Sequence, residues 1–267
     1  MDVDSYLARI GFAGRILADA DCLRSLQYSH LLSVPFENLD IHSKVPIILD
    51  LQRFYEKIVD GLRGGFCYEL NGLFDQLLRK IGFRTRIVSA RVFNGTVFGP
   101  DYDHAALVVT IGDLEYLADV GFGDFASGPL RLVPEITQND REGSFRIDRS
   151  ESDILVVSKM AGEAWVPEYS FSPIGRELSE FDEMCDFQQH SAESHFTKGR
   201  ICSMMTETGR KTLTDNSYII TSNGERTETF ISSDNEFQMI LKREFGISGI
   251  DRGSRQMASG PSVGNGS

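Results

Sequence analysis

The chain has 267 residues, 41% of them hydrophobic, with 27 Lys and Arg against 39 Asp and Glu and a formal net charge of -12. That apolar share suits a folded protein of one large domain or two to three small ones and excludes general disorder. The acidic balance excludes a nucleic-acid or anionic-membrane surface as the main partner, because phosphate backbones are bound by concentrated Lys and Arg.

From about residue 5 to residue 80 the apolar residues recur at spacings of three and four, as in Leu23, Leu26 and Leu31, then Phe54, Ile58 and Leu62. This is the helical period, and residues 1–84 are expected to form a helical bundle. Met1-Asp2-Val3-Asp4 lacks the basic-then-apolar order of a signal peptide, and no apolar run nears the roughly 20 residues needed to cross a bilayer, so the cytoplasm is the expected compartment. Cys22, Cys67, Cys185 and Cys202 are widely spaced with no C-x-x-C pair. They read as reduced thiols, with neither a disulfide framework nor a metal site expected.

Residues 63–72, RGGFCYELNG, open an amphipathic stretch in which Leu70, Leu73, Phe74, Leu77, Leu78 and Ile81 would line one side of a helix. Cys67 falls in its first turn. Free N–H groups and the positive end of the helix dipole gather there, and both favour a thiolate. Gly64 and Gly65 would let the backbone approach a substrate or take positive φ. The other three cysteines read as small buried hydrophobes.

From about residue 85 the pattern becomes β-branched and alternating, with strands expected over 86–93, 105–111, 114–120, 144–147 and 154–158. Short strands in succession suggest a barrel or rolled sheet over residues 85–190. Gly112 and Asp113 read as a two-residue hairpin loop. Ile111 then faces Leu114, Ala106 faces Asp119 and His104 faces Gly121. His104 and Asp119 become diagonal neighbours, roughly 7–8 Å apart at the backbone, on one face of the sheet. A carboxylate so placed would hold a histidine tautomer while the other ring nitrogen meets a thiol. Gly121 would leave room for the ring. A carboxylate in an apolar strand also needs a partner, and His104 supplies one. His30, His42, His190 and His195 have no such companion and read as structural or exposed.

Residues 177–193 read as a helical connector containing Phe181, Met184, Cys185 and Phe187. Strands near Ile201 and over 218–221 and a helix over 236–245 make up residues 191–250. Residues 251–267 are rich in Gly and Ser with almost no apolar content, and read as a disordered tail.

Cys67 within RGGFCYELN, His104 within DHA, Asp119 within ADVGFG and the earlier VPFENLD at 34–40 together resemble the arylamine N-acetyltransferase family. The likeness runs from about residue 6 to residue 245. It implies an α+β fold: an N-terminal helical bundle, a central β-barrel and a C-terminal α/β lid, with a cysteine-protease-like Cys-His-Asp site. It further implies a ping-pong route through an acetyl-cysteine, with acetyl-CoA as co-substrate, no tightly bound cofactor, and small aromatic amines, hydrazines or N-hydroxyarylamines as acceptors. Matched by position, Phe36, Val92, Phe122 and Phe196 would line the aromatic pocket. Gly121 and Gly123 would allow close approach of coenzyme A, and Thr208 with Gly209 would stand near its phosphates. Arg63 with Glu37 or Asn38 would tie the Cys67 helix to the preceding segment.

Two other activities use the same residues: an amide synthase fed by a carrier-protein thioester, and a Cys-His-Asp hydrolase. A silent binding protein is the third reading. No coiled-coil pattern or apolar stripe indicates an oligomeric state.

Overall fold

A computed structural model describes residues 1–150 and 152–249. The expectation for residues 251–267 lies outside them. Among the described residues no helix is long and apolar enough to cross a membrane.

The N-terminal segment holds α1 (Val3–Arg9), α2 (Ala20–Ser33), the two-residue strand β1 (Phe36–Glu37), α3 (Leu39–Ser43), α4 (Leu51–Tyr55), a π turn (Glu56–Asp60) and α5 (Cys67–Lys80). Aspartates start three of these helices: Asp2, Asp19 and Asp50 accept from Ser5 N, Cys22 N and Arg53 N at 2.7–2.9 Å, filling donors that the first turn leaves free. The π turn breaks the 3.6-residue period after Phe54 and Ile58. Leu62, expected on the same face, therefore leaves it, with φ 52° and 59% of its surface exposed.

α5 is the central helix. Leu70, Leu73, Phe74, Leu77 and Leu78 are fully buried, as the pattern predicts, but Tyr68 and Asn71 are too, and Gly72 is buried with them. The helix is thus enclosed well beyond one face, lying between α4 and the sheet strands β2 (Arg84–Val92) and β3 (His104–Ile111). Ile81 falls just past its end. Each such Leu or Phe contributes about 1.5–3 kcal/mol relative to exposure.

After β2 and β3 the chain adds β4 (Leu114–Ala118), β5 (Leu130–Arg131), β6 (Gln138–Asp140), β7 (Gly143–Arg149), β8 (Leu155–Ala161) and β9 (Ala164–Arg176). These eight strands form one antiparallel sheet in the order β5-β4-β3-β2-β9-β8-β7-β6. The sheet curls until its two edge strands meet through a side chain. Gln138 on β6 accepts from Arg131 N at 2.7 Å and donates to Arg131 O at 2.9 Å, on β5. The result is a nearly closed barrel whose interior holds Val88, Ala106, Phe145, Val157 and Tyr169.

A 3-10 turn (Leu178–Phe181) and α6 (Asp182–His190) follow, then β10 (Ile201–Thr206), β11 (Gly209–Thr214), β12 (Ser217–Ser222), β13 (Glu225–Phe230) and α7 (Asp234–Phe245). The second sheet runs β1-β10-β11-β12-β13, so the N-terminal segment lends it an edge strand. α7 buries Phe237, Ile240, Leu241 and Phe245 against Cys202, Leu213 and Tyr218 of this sheet.

Candidate active site

Cys67 is the first residue of α5 and only 3% exposed. The chain reaches it through a tight crossing. Gly65 N donates to Pro35 O at 3.3 Å, and Glu37 N donates to Gly65 O at 2.9 Å. A Cβ on Gly64 would lie 1.9 Å from Pro35 O. The glycines were expected to serve a substrate or a positive φ; neither has positive φ, and Gly64 is needed because two backbone segments touch. The first α-helical bond, Leu70 N to Phe66 O at 3.0 Å, leaves the N–H groups of Cys67, Tyr68 and Glu69 ahead of it.

The hairpin register is as read from the sequence at its tip, Ile111 facing Leu114 and Leu107 facing Ala118. There the ladder stops. Val120 N turns to Asn71 Oδ1 (3.0 Å) and Gly121 N to Asp119 Oδ1 (2.9 Å), so Asp119 and Gly121 leave the strand rather than pairing with Ala106 and His104. The side chains meet all the same: His104 Nε2 lies 2.7 Å from Asp119 Oδ2, with both residues buried. Gly121 was expected to make room for the ring, but it lies against the start of α5 instead. A Cβ there would lie 2.8 Å from both Cys67 Cα and Asn71 Nδ2, so it lets the Asp119 loop press on the start of α5.

Sequence reasoning missed three holders of Asp119. Asn71 Nδ2 donates to Asp119 Oδ1 at 2.8 Å and to Ala105 O at 2.6 Å. Tyr169 on β9 donates its hydroxyl to Asp119 Oδ2 at 3.1 Å, and Gln27 on α2 donates to Asp119 O at 3.4 Å. Asn71 is four residues after Cys67, the spacing of one helix face, and was open to discovery. Tyr169 gave no signal, because its strand was not foreseen.

Burial alone would depress the His104 pKa. The charge and hydrogen bond of Asp119, with further contributions from Cys67, overcome it and raise the ring to about 10. Asp119 shows the reciprocal effect: burial opposes ionisation, but His104, Asn71 and Gly121 N hold its pKa below the ordinary value. The arrangement is a buried carboxylate–imidazolium pair next to a thiol. All four cysteines are free and buried. Burial pushes the thiols of Cys185 and Cys202 well up, which makes them poor nucleophiles.

Arg63 binds Glu37 Oε1 at 2.7 Å and Asp40 Oδ1 at 2.8 Å. Lys57, also unforeseen, bridges Asp40 and Glu69 at 2.8 Å each. Glu69 Oε2 in turn accepts from Phe66 N (3.1 Å), fixing the residue before Cys67. Asn38 is not a partner of Arg63. It donates to Phe196 O and Gly199 O at 2.9 Å and accepts from Ile201 N at 2.8 Å, so it secures the later segment.

The expected pocket residues fall into separate groups. Phe36 and Phe196 have ring centroids 6.0 Å apart, and Phe196 is also 6.0 Å from Phe66. Phe122 packs on the His104 ring at 5.1 Å. Val92 pairs with Tyr169, and Ala90, two residues earlier, pairs with His104, so these residues share a face. Gly123 has open space around it, and its carbonyl accepts from Arg210 at 2.6 Å. Of the β10–β11 turn, it is Arg210, next to Gly209, that reaches Gly123. Thr208 itself bonds within the sheet, its Oγ1 accepting from Ser222 Oγ at 2.8 Å.

The sequence matches the model of an N-acetyltransferase family over residues 19–251. It is 31% identical to an arylamine N-acetyltransferase of Escherichia coli, covering 93% of this chain and 89% of that one. It is 32% identical to an arylamine N-acetyltransferase / N-hydroxyarylamine O-acetyltransferase of Salmonella typhimurium, covering 91% and 88%. The structure superposes on the arylamine N-acetyltransferase of Mycobacterium marinum in complex with CoA with a TM-score of 0.85, at 30% identity over 92% and 93% of the chains. With likeness of sequence and of fold extending over nearly the whole of each partner, the chain belongs to the arylamine N-acetyltransferase family.

Proposed function

We propose that Cys67 carries the acetyl group from acetyl-CoA to the nitrogen of an arylamine, arylhydrazine or N-hydroxyarylamine in two half-reactions. The observation that carries this reading is the 2.7 Å contact between His104 Nε2 and Asp119 Oδ2 in a buried site where Asp119, and to a lesser degree Cys67, raise the ring's pKa. With Nε2 engaged, Nδ1 is left to exchange a proton with the thiol.

In the first half-reaction the Cys67 thiolate attacks the thioester carbonyl. The bond to the coenzyme A sulfur breaks, and the imidazolium of His104 gives that sulfur its proton. The N–H groups at the start of α5 are available to the oxyanion that forms in passing. In the second, the amine attacks the acetyl-cysteine carbonyl, neutral His104 takes the amine proton, and Cys67 leaves as thiolate. Phe36, Val92, Phe122 and Phe196 are assigned to the aromatic acceptor. Gly121 and Gly123, with Thr208 and Gly209 beyond Arg210, are assigned to coenzyme A; the open space at Gly123 supports close approach there.

Intact-mass measurement tests the scheme. Acetyl-CoA alone should add one acetyl group to the parent, a small arylamine or hydrazine should remove it, and Cys67→Ala should show no adduct. A folded parent that gains no acetyl group overturns acetyl-CoA as donor and turns attention to carrier-protein thioesters.

A further inference from the structure

A cavity of about 590 Å³ lies between α2 and the β6–β7 turn, lined by Arg24, Tyr28, Ser127, Asn139, Asp140 and Arg141 among others. It shares no residue with Cys67, His104, Asp119 or the four pocket residues assigned above. Its size is that of a small-ligand site, which commonly measures roughly 300–1,000 Å³.

Its charge is unusual for a chain this acidic. Arg24 has no carboxylate partner among the described residues, and Arg141 is held by neutral groups, Tyr28 Oη at 2.7 Å and Glu207 O at 2.6 Å. Arg141 also stands 5.1 Å from the Tyr28 ring centroid. The carboxylate in the cavity wall, Asp140, is already committed. It accepts from Ser127 N (2.8 Å), Ser127 Oγ (2.9 Å), Gly128 N (3.2 Å) and Glu142 N (2.9 Å). Two guanidinium groups thus face the cavity against a single, fully hydrogen-bonded carboxylate. Guanidinium forks match carboxylate and phosphate oxygens, and a tyrosine beside them accepts a flat apolar body.

We propose that this cavity binds a small aromatic anion, its carboxylate or phosphate held by Arg24 and Arg141 and its ring placed beside Tyr28. The anion has two sources: the nucleotide end of coenzyme A itself, or a separate metabolite. The cavity wall also adjoins a support of the active site. Gln27, next to Tyr28 on α2, donates to Asp119 O and to Ala126 O (3.3 Å), and Ala126 adjoins Ser127 in the cavity wall. The proposal does not depend on acetyl-CoA being the acyl donor.

Calorimetric titration with adenosine 3′,5′-bisphosphate tests it on the whole protein. The parent is expected to bind saturably, Arg24→Glu at least tenfold more weakly, and Tyr28→Leu more weakly than the parent. Lys80→Glu, which makes the same charge change at the far end of α5, should bind as the parent does. Melting curves of each variant establish that it is folded. Absence of saturable binding into the millimolar range, or equal loss in Arg24→Glu and Lys80→Glu, overturns the proposal. If the bisphosphate competes with acetyl-CoA, the site serves the co-substrate; if it binds without competing, the site serves a separate ligand.

Discussion

Asn71 sits one helical turn beyond Cys67 and donates to Asp119 Oδ1 at 2.8 Å, so a single amide joins the helix that carries the thiol to the loop that carries the carboxylate. Its oxygen accepts from Val120 N and its other N–H reaches Ala105 O, leaving no part of the amide spare. Asn71→Ala should leave Val120 N and Ala105 O buried without their partner, at about 1–3 kcal/mol for each unsatisfied group. The urea midpoint should fall and acetyl transfer should slow with it. A variant of parental stability and rate would show that the amide positions nothing.

Asp119 is the largest influence raising His104, against the opposing effect of burial. Asp119→Asn should therefore bring the histidine midpoint down from about 10 towards or below the ordinary value of about 6.5, read from ring resonances by NMR. Acyl transfer should drop by roughly 10²–10⁴-fold, the usual contribution of positioned acid–base catalysis. An unmoved midpoint would mean that the 2.7 Å contact does not govern the ring's protonation.

The same group links folding to pH. Between about 6.5 and about 10 the folded protein keeps a proton on His104 that the unfolded chain has released. The resulting stability is complete below the lower limit and is lost as pH rises through the upper one, at up to about 1.4 kcal/mol per unit. Asp119, with its folded pKa lowered, acts only in acid and does not enter this window. Denaturant unfolding from pH 7 to 10 should show a shallower decline in His104→Gln than in the parent; identical slopes would rule the linkage out.

How legible these features were depended on whether local chemistry or distant packing decided them. The Gly112-Asp113 loop fixed the β3–β4 register, and the spacing of apolar residues marked α5, because both signals are local. β9 was missed although it has 13 residues: Pro167, Pro173 and Gly175 interrupt it, and register shifts against both neighbours accommodate them. β13, Glu225–Phe230, is exposed along its whole length and so carries no alternation to read. Arg63 was recognised as a tie to Glu37 because both lie in the matched RGGFC and VPFENLD segments; Lys57 lies in neither, and Asp40 and Glu69 reach it from two separate segments. No pattern in the chain itself announced that the loop after β4 would leave its ladder for Asn71.

Lys57 closes the charge network beneath Phe66, with its side chain only 13% exposed. Lys57→Met keeps most of the bulk but leaves Glu69 without a cation and Asp40 with Arg63 alone. Breaking a buried pair from one side costs about 3–5 kcal/mol. Burial already pushes Glu69 towards its neutral form, against the pull of Lys57. The deficit relative to the parent should therefore be greatest near neutral pH and shrink as pH falls through the carboxylate range. A deficit independent of pH would point to lost packing of the lysine stem instead.

Gly121 and Gly123 separate contact from backbone strain. At Gly121 an added methyl group meets Cys67 Cα and Asn71 Nδ2 at 2.8 Å, and neither can retreat without moving the start of α5 or releasing Asp119. At Gly123 it meets open space but must adopt φ of 100°, a conformation unfavourable by about 1–2 kcal/mol for a residue with a Cβ. Both alanine variants should be less stable. Only Gly121→Ala should also slow alkylation of Cys67 by iodoacetamide, because it alone pushes the Asp119 loop away from the helix start and disturbs the histidine between them. Equal alkylation rates in the two variants would show that the approach of this loop to Cys67 has no bearing on the thiol's reactivity.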